Sequence, residues 1–238
     1  MSRQGKVWLV GAGPGDVGLF TIKGKDILAK AEVVVYDSLV GDGVLTMVPE
    51  NAEKINVGKR AGHHTMKQEN INKVLLEKAQ EGKRVVRLKG GDPFLFGRGG
   101  EELELLCEHK IPYEVVPGVT SCIAVPAYNG IPVTHRDFCS SVHVITGHKR
   151  AGESYNIDFE ALVRTKGTLV FLMGITAMED ICKGLLEAGF TAGNYRGTEK
   201  SSGYGEYIKT GLRCGEDPDT GNYCGRTGLS GGRYFWLV

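Results

Sequence analysis

Two glycine-rich turns, each at the end of an apolar stretch, contain the residues of this sequence that are best suited to hold a ligand. The first turn, GAGPGD at 11–16, follows the apolar segment VWLV. The Gly-x-Gly-x-x-Gly fingerprint of dinucleotide enzymes requires a third glycine where this turn has Asp16. A carboxylate there opposes the attraction of phosphate to a helix N-terminus, and Pro14 removes one backbone N–H from the loop. The turn therefore predicts close approach of a ligand that is not an anion, or a strand-to-helix turn without a ligand.

The segments around these turns alternate between the periodicities of strands and helices. Apolar runs with strand character recur along the first half of the chain, at VWLV, EVVVYD, RVVRLK and YEVV. Helical spacing separates them, and one predicted helix begins with a capping box of Thr65 and Gln68 and stops at Gly82. From Val7 to Val116 the alternation predicts a parallel sheet with helices on its faces.

A stretch punctuated by proline and glycine, PGVTSCIAVPAYNGIP, interrupts this alternation. We expect a domain junction there, near Pro117–Gly118. A second alternating set follows, with strands SVHVITG and TLVFLMG and helices FEALVRT and TAMEDICKGLLEAG. The sequence thus predicts two α/β domains, residues 1–117 and residues 118–190, with a ligand cleft between them.

The last 48 residues, 191–238, differ in composition from the rest of the chain. They contain 11 of the 35 glycines and five of the nine tyrosines, but only five residues that are Val, Ile, Leu or Met. No helical or strand period extends through them. So few aliphatic side chains cannot offset a backbone ordering cost of roughly 1–2 kcal/mol per residue. We therefore expect the second domain to be incomplete, because this segment supplies no ordered sheet to finish it.

The net charge of +1 and the pI near 7.6 give the chain no general attraction to nucleic acid or to a membrane surface. No apolar run has the length of a membrane span, and the N-terminal MSRQGKVWLV lacks the features of a secretory leader. The six cysteines include no Cys-x-x-Cys pair and have no histidine at ligand spacing. We therefore expect a cytoplasmic protein with neither a metal site nor a disulfide framework.

Several motifs occur together and in order, chiefly GAGPGD, YDSLV, VGKRAG, KGGDPFLFGRGGEE, GIPVTHRD and LVFLMG. In this combination the sequence resembles the uroporphyrinogen-III C-methyltransferases of the tetrapyrrole methylase family, from about Val7 to Gly189. The resemblance implies transfer of two methyl groups from S-adenosylmethionine to uroporphyrinogen III, giving precorrin-2 for sirohaem or cobalamin synthesis. It also implies that the protein is a homodimer and that its binding partner is a small-molecule tetrapyrrole substrate.

The same resemblance implies that the second glycine turn holds most of the methyl donor, while the first turn lines the cleft. Backbone at the GGD turn can approach the amino-acid end of the donor, and the carboxylate of Asp92 suits its ammonium or sulfonium charge. The donor contacts implied by the family fall on Pro14, Gly90, Gly91, Asp92, Leu95, Thr120, Ser121 and Met173.

Asp37 and Lys59 resemble the family's proton acceptor and proton donor. Asp37 follows the apolar strand EVVVY, so it is expected at the carboxyl end of a strand, beside the crevice of such a sheet. A carboxylate there can take the proton that the tetrapyrrole loses on methylation, and Lys59 can donate one if its environment allows. A solvated loop charge is the alternative for both residues.

The implied tetrapyrrole carries eight carboxylates and therefore needs several cations around it. The candidates within or beside the shared motifs are Arg60, His63, Arg98 and Arg136. Glu101 and Glu102 fall in the first turn of a predicted helix, where they complement its dipole and need no catalytic role.

The tail departs from the resemblance, since the family has a glutamine–glycine turn at the adenosine here and later a final apolar strand. If the first nucleotide of the DNA that encodes TAGNYRGTEK is removed, the reading frame shifts by one. With a suitable choice of synonymous codons, the shifted frame encodes a peptide that begins QQGITEEQ. The same offset converts TGNYCG into PAIIVG. Both restored segments have the family's character and share one reading frame. We therefore hypothesise a frameshift near residues 189–191, in the gene or in its sequence determination.

Three alternatives stay open at this stage. Within the family, the substrate can be a later corrin intermediate. The GAGPGD turn alone also suits a nicotinamide or flavin oxidoreductase, in which Asp37 mimics the acidic residue that binds the ribose. Finally, the altered C-terminus is compatible with an inactive remnant that still binds ligand weakly.

Overall fold

The computed structural model describes residues 4–58, 66–147 and 157–190, together with the backbone of 235–237. Contacts within the chain divide it into two compact units, Met1–Ser121 and Cys122–Val238. We call them unit 1 and unit 2 and describe each by itself. The domain limits inferred from the sequence, 1–117 and 118–190, stay a prediction.

Unit 1 contains a five-stranded sheet whose strand pairs are all parallel. Its strands are β1 (Lys6–Gly11), β2 (Val33–Tyr36), β3 (Glu53–Asn56), β4 (Arg84–Lys89) and β5 (Tyr113–Val116). They lie in the order β3-β2-β4-β1-β5, so the α/β class and the parallel sheet predicted from the sequence are confirmed. β3 escaped prediction because it is an edge strand whose sequence, EKIN, has no apolar run.

Helices cover both faces of this sheet. They are α1 (Ile22–Leu28), α2 (Asp42–Leu45), α3 (Gln68–Gln80) and α4 (Gly99–Glu108). Successive residues of β4 point to opposite faces, so Val86 and Leu88 pack in the core beside α1, whereas Val85 packs in the core beside α3 and α4. Arg87 therefore projects toward the face of α3 and α4, between apolar neighbours.

The ends of α3 show where the predicted capping box was wrong. The helix begins at Gln68, and its N-cap is Lys67, which makes no capping side-chain bond. Thr65 lies outside the described residues. The side chain of Gln68 instead turns to tertiary partners, described below. The predicted stop is confirmed, because Gly82 follows the helix with a φ of +80°.

Unit 2 contains a smaller parallel sheet of β6 (Val142–Thr146), β7 (Thr168–Leu172) and β8 (Phe235–Leu237), in that order. Its helices are α6 (Phe159–Arg164) and α7 (Met178–Glu187), and α5 (Ser121–Tyr128) leads into the unit. The apolar face of α7 packs on β7 through Ile181 and Leu185, which are fully buried with Phe171. The strands and helices predicted for the second set are thus present.

The expectation that the tail adds no strand to this sheet is wrong at three residues. Phe235–Leu237 pairs in parallel with β7, with Leu169 opposite Phe235 and Phe171 opposite Leu237. The physical reason is local, since two aromatic residues and a leucine in succession favour a strand beside an apolar neighbour. The rest of the tail, 191–234, lies outside the described residues.

Candidate functional site

The two glycine turns lie side by side at the carboxyl edge of the unit 1 sheet. The Gly13 N–H donates to the Gly91 carbonyl at 3.2 Å, and the Gly91 N–H donates to the Gly13 carbonyl at 2.8 Å. Both residues have positive φ, +77° and +65°, which glycine adopts without strain. A Cβ added at Gly91 would meet no described atom within 4 Å, so the outer side of this turn is open to a ligand.

Two further loops approach these turns at backbone distance. A Cβ at Gly118, in the loop after β5, would lie 2.2 Å from the Gly91 carbonyl oxygen and 2.7 Å from Cα of Gly11. A Cβ at Gly90 would lie 2.5 Å from Cβ of Leu39, in the loop after β2. The loops that follow β1, β2, β4 and β5 therefore converge at one edge. The donor-binding candidates on them are Pro14, Gly90, Gly91, Asp92, Leu95 and Thr120, and the candidate Ser121 is the first residue of α5.

Asp92 ties two of these loops together. Its Oδ1 accepts the backbone N–H of Phe94 at 2.8 Å and of Leu95 at 3.2 Å, and its Oδ2 accepts the N–H of Gly118 at 3.0 Å. Sequence reasoning assigned this carboxylate to a cation of the donor, which stays a prediction. The structure adds that the same carboxylate organises the turn at which the donor is expected.

Asp16 performs a comparable local task in the first turn. Its Oδ1 accepts the Gly18 N–H at 2.7 Å and caps a 3₁₀ helix, Val17–Leu19. The α-helix begins only at Ile22, after Thr21 as N-cap. The glycine turn thus does not lead directly into an α-helix N-terminus, which is the geometry that binds a pyrophosphate. This counts against the dinucleotide alternative.

Asp37 follows β2 directly, as predicted, and both of its carboxylate oxygens have partners. Oδ1 accepts the Leu39 N–H at 3.0 Å, and Oδ2 accepts from Nη2 of Arg87 at 3.1 Å. Its side chain is 22 % exposed, whereas that of Arg87 is 3 % exposed. Asp37 is therefore the accessible end of an ion pair whose other end is buried.

The ion pair continues inward as a buried ion cluster of Asp37, Arg87, Lys89 and Glu102. Oε1 of Glu102, which is fully buried, accepts from Nε of Arg87 at 3.2 Å and from Nζ of Lys89 at 2.7 Å. Nε2 of Gln68 lies 3.2 Å from the same oxygen. An unpaired charge at such depth costs several kcal/mol. Here the buried carboxylate of Glu102 compensates the two buried cations.

The cluster also changes the acid–base chemistry of Lys89. Burial lowers the pKa of its ammonium group below the ordinary value, and the positive charge of Arg87 lowers it further. Glu102 and Asp37 act in the opposite direction but do not cancel this effect. Lys89 therefore holds its proton less firmly than an exposed lysine does.

Sequence reasoning missed Arg87 and Lys89, assigned Gln68 to a capping box and gave Glu102 only a helix-dipole role. A signal was present in RVVRLK, since cations at 87 and 89 share one face of a strand that is otherwise apolar. Two buried cations on one face require a buried anion nearby. What the local pattern cannot reveal is which of the many carboxylates meets them.

The candidate substrate cations are distributed differently. Arg98 is the N-cap of α4, has a φ of +56° and pairs with Glu101 at 2.9 Å (Nε to Oε1) and 2.5 Å (Nη2 to Oε2). These hydrogen bonds raise the pKa of the Arg98 guanidinium, although its side chain is more than half exposed. Arg136 is exposed in a turn of unit 2. Lys59, Arg60 and His63 lie outside the described residues.

Met173 lies in unit 2, directly after β7. It is about half exposed and has a φ of +56°, an uncommon conformation for a side chain of this size. The loops after β6 and β7 touch here, since a Cβ at Gly147 would lie 2.3 Å from Cα of Gly174. Met173 is thus presented at the carboxyl edge of the second sheet, and its donor contact stays a prediction.

The part of the chain that the structure describes contains no group of three His, Cys, Asp or Glu side chains placed to hold a metal ion. Among the same residues, no helix combines the length and the apolar character needed to cross a membrane.

The sequence of this chain is similar to those of known proteins. Residues 6–197 match the family of Tetrapyrrole (Corrin/Porphyrin) Methylases. The porphyrin biosynthesis protein HemD of Ruminiclostridium josui is 60% identical over 187 residues, which are 79% of this chain and 37% of that protein. The chain thus spans about two fifths of the length of the curated relatives it matches.

Solved structures are similar too. A uroporphyrin-III C-methyl transferase from Thermus thermophilus, complexed with S-adenyl homocysteine, is 43% identical with a TM-score of 0.65; the match covers 78% of this chain and 73% of that one. A cobalt precorrin-4 methyltransferase, a cobalamin biosynthetic enzyme, is 31% identical with a TM-score of 0.70, over 79% of this chain and 77% of that one.

Proposed function

We propose, because this chain belongs to the tetrapyrrole (corrin/porphyrin) methylase family, that it transfers two methyl groups from S-adenosylmethionine to uroporphyrinogen III, giving precorrin-2. The observation that carries the proposal is the convergence of the loops after β1, β2, β4 and β5 on the open Gly91 turn, with Asp37 at the start of the loop after β2. The similarity to a uroporphyrin-III enzyme that binds S-adenyl homocysteine supports the choice of donor and acceptor.

The residues of the Gly91 turn suit this donor chemically. S-adenosylmethionine supplies a methyl group on a positively charged sulfur, together with an ammonium and a carboxylate at its amino-acid end. Backbone carbonyls and N–H groups of Gly90 and Gly91 can approach such a ligand closely, since neither carries a side chain. Asp92 adds negative charge at the same turn. The remaining donor contacts are Pro14, Leu95, Thr120, Ser121 and Met173.

The reaction needs positioning and one proton acceptor rather than a nucleophilic side chain. A carbon of the tetrapyrrole bonds to the methyl group while the methyl–sulfur bond breaks, and the sulfur leaves with that electron pair as a neutral thioether. The methylated ring system then releases a proton. Asp37 accepts it, since its carboxylate is accessible and held at the sheet edge. Lys59 serves as the proton donor in a tautomeric shift of the ring system, in which the proton given to one ring atom is balanced by a proton lost from another.

The cations Arg60, His63, Arg98 and Arg136 bind the carboxylates of the tetrapyrrole. For Arg98 this requires exchange of its partner, because Glu101 now occupies two of its donor positions. An exposed pair of this type is worth at most about 1 kcal/mol, so a substrate carboxylate can replace Glu101 at little cost.

A later corrin intermediate is the second candidate substrate. The cobalt precorrin-4 enzyme has the higher TM-score, 0.70 against 0.65. Sequence identity separates the two more clearly, at 31% against 43%, and the residues that contact a substrate depend on sequence more than on backbone course. We therefore favour uroporphyrinogen III.

The test is incubation of the purified full chain with S-adenosylmethionine and uroporphyrinogen III, followed by absorbance and mass analysis. A product that carries two added methyl groups supports the proposal. Cobalt precorrin-4 as acceptor in a parallel reaction tests the second substrate, and titration with NADH tests the dinucleotide alternative. Binding of S-adenosylhomocysteine without turnover of either tetrapyrrole would identify an inactive remnant.

We further propose a cytoplasmic homodimer, as the resemblance to the family implies. Sedimentation of the purified chain tests the assembly, since a monomer and a dimer of a 25.8-kDa chain differ twofold in mass. A single monomeric species across a wide concentration range would contradict it.

A further inference from the structure

We propose that Glu102 is a positioning residue that acts through Arg87 to hold the carboxylate of Asp37 in place. This inference rests on the proposed function, because it gives Asp37 the role of proton acceptor. The ground for it is a chain of hydrogen bonds that runs from the fully buried interior of unit 1 to an accessible carboxylate at the sheet edge.

The first step is the rigidity of the connecting group. All three guanidinium nitrogens of Arg87 have partners: Nε donates to Oε1 of Glu102, Nη1 to the Leu88 carbonyl at 2.7 Å, and Nη2 to Oδ2 of Asp37. The guanidinium is planar, so fixing two of its nitrogens also fixes the direction of the third. The place of Oδ2 of Asp37 therefore depends on where Glu102 holds Nε.

The second step is that Asp37 is held from two sides. The Leu39 N–H fixes its Oδ1, and Arg87 fixes its Oδ2. A carboxylate oxygen has a second lone pair after it accepts one hydrogen bond, so both oxygens can still receive a proton. Holding a base without saturating it is what positioning for proton transfer requires.

The third step concerns stability, the ordinary explanation for a buried ion pair. Glu102 binds both cations through Oε1, and its Oε2 is buried with no hydrogen-bond partner among the described residues. Such an unsatisfied acceptor lowers the stability of the folded state. Apolar residues of similar volume often replace a buried ion pair without loss of stability. The arrangement is therefore poorly explained by stability alone.

The experiment compares Glu102→Gln with Glu104→Gln in the full chain. Both substitutions remove one negative charge from α4, but Glu104 is exposed. For Glu102→Gln we expect kcat with uroporphyrinogen III to fall by about tenfold or more, as for a lost charged hydrogen bond, while the KM for S-adenosylmethionine changes by less than about twofold. Glu104→Gln should match the unsubstituted chain in both parameters.

A double substitution tests whether Glu102 acts through Asp37. If it does, Asp37→Asn combined with Glu102→Gln should be no slower than Asp37→Asn alone, because the positioned group is already lost. Independent, multiplicative losses would overturn the proposal. An unchanged kcat in Glu102→Gln would do the same.

A structural measurement separates this inference from the proposed function. The Nε–H resonance of Arg87, observed by NMR, should exchange with water slowly in the unsubstituted chain and faster in Glu102→Gln, whereas Glu104→Gln should not change it. Unchanged exchange overturns the positioning role whatever the turnover. If the unsubstituted chain shows no turnover but Glu102→Gln still exchanges Arg87 Nε–H faster, the proposed function is refuted. The positioning of Arg87 by Glu102 is then still supported.

If Glu102→Gln does not fold, Glu102→Asp replaces it. Aspartate keeps the charge that compensates Arg87 and Lys89 but draws the carboxylate back by one methylene. We expect a folded protein with a partial loss of kcat and faster exchange at Arg87 Nε. A kcat and an exchange rate equal to those of the unsubstituted chain would overturn the proposal.

Discussion

Asp37 and Asp92 are carboxylates at the same sheet edge, yet their surroundings give them different capacities. Asp92 accepts three backbone N–H groups from two loops, so it serves first as part of the scaffold. Asp37 accepts one backbone N–H and one guanidinium N–H, and its charge is balanced by a residue that is itself buried. At the residue scale, the first is suited to shape a turn, whereas the second keeps an accessible carboxylate, as its proposed role of proton acceptor requires.

Asp92→Ala should weaken binding of S-adenosylhomocysteine by about tenfold or more, because each charged hydrogen bond that it removes is worth roughly 1.5–3 kcal/mol. The loss includes the tie between the Gly91 turn and Gly118. Titration calorimetry measures it. Asp26→Ala, at an exposed position of α1, is the matched control and should bind as the unsubstituted chain does. Equal affinities of all three proteins would show that the carboxylate does not support the donor site.

Lys59→Met should lower turnover far more than donor affinity, if the side chain donates a proton and does not bind the donor. Steady-state kinetics with uroporphyrinogen III and calorimetry with S-adenosylhomocysteine measure the two effects. Lys54→Met, on β3 at an exposed position, is the control. Equal losses in turnover and affinity would instead assign Lys59 to positioning of the donor.

At the element scale, the site depends on loops that approach one another at backbone distance. Strands β1, β4 and β5 are neighbours in the sheet, so the loops that follow them emerge side by side. Glycine at 11 and 118 allows these loops to come closer to each other and to the Gly91 carbonyl than any side chain would permit. Glu114 of β5 also forms ion pairs with Lys6 of β1 at 2.7 Å and with Lys23 of α1 at 2.6 Å.

Gly118→Ala should separate the loops, because its Cβ would lie 2.2 Å from a backbone oxygen that cannot move freely. We expect a loss of about 1–3 kcal/mol in the free energy of unfolding, typical of overpacking, together with weaker donor binding. Gly100→Ala is the control, since a Cβ there meets nothing within 4 Å in a helix. It should stabilise the protein slightly. If Gly118→Ala is as stable as the unsubstituted chain and binds the donor as tightly, the loops do not approach each other as closely as described.

Glu114 should make stability depend on pH. Hydrogen bonds from Lys23 and Lys6 lower the pKa of its carboxyl from 4.5 to about 2 in the folded protein. A lowered pKa means that the folded state favours the ionised form, so the stabilisation is complete above about pH 4.5 and disappears as the pH falls toward about 2. Denaturant unfolding of the unsubstituted chain and of Glu114→Gln should differ at pH 7, and the difference should shrink below about pH 4.5 and vanish toward about pH 2. A difference that does not change with pH would contradict this assignment.

At the scale of the whole molecule, the similarity to the family ends close to the point where the composition of the sequence becomes rich in glycine. The family match ends at residue 197, and the compared proteins cover 78% to 79% of the chain. Within residues 191–238, Phe235–Leu237 pairs with β7 in the second sheet. The frameshift hypothesis concerns the region in between and stays a prediction.

Restoring the alternative reading frame, with its QQG turn and PAIIVG strand, should raise the melting temperature and tighten binding of S-adenosylhomocysteine together. The physical reason is the return of apolar alternation, which buries surface that the glycine-rich tail cannot bury. Calorimetry of both chains measures the two effects, and sequencing across codons 185–195 tests the origin of the shift. The hypothesis would be refuted if the present chain bound S-adenosylhomocysteine as tightly as the restored chain and if residues 191–238 of the present chain resisted proteolysis.

The sequence by itself determined the α/β class, most of the strands, the two glycine turns and the place of Asp37, because periodicity, turn residues and strand ends are local properties. It missed β3, whose residues carry no apolar pattern, and the three-residue β8, which lies within a glycine-rich tail. Only the tertiary structure decided the partners of Asp37. Arg87 lies 50 residues from Asp37 and 15 from Glu102 along the chain. Which buried cation meets which carboxylate depends on how β2, β4 and α4 pack, and no local pattern encodes that packing.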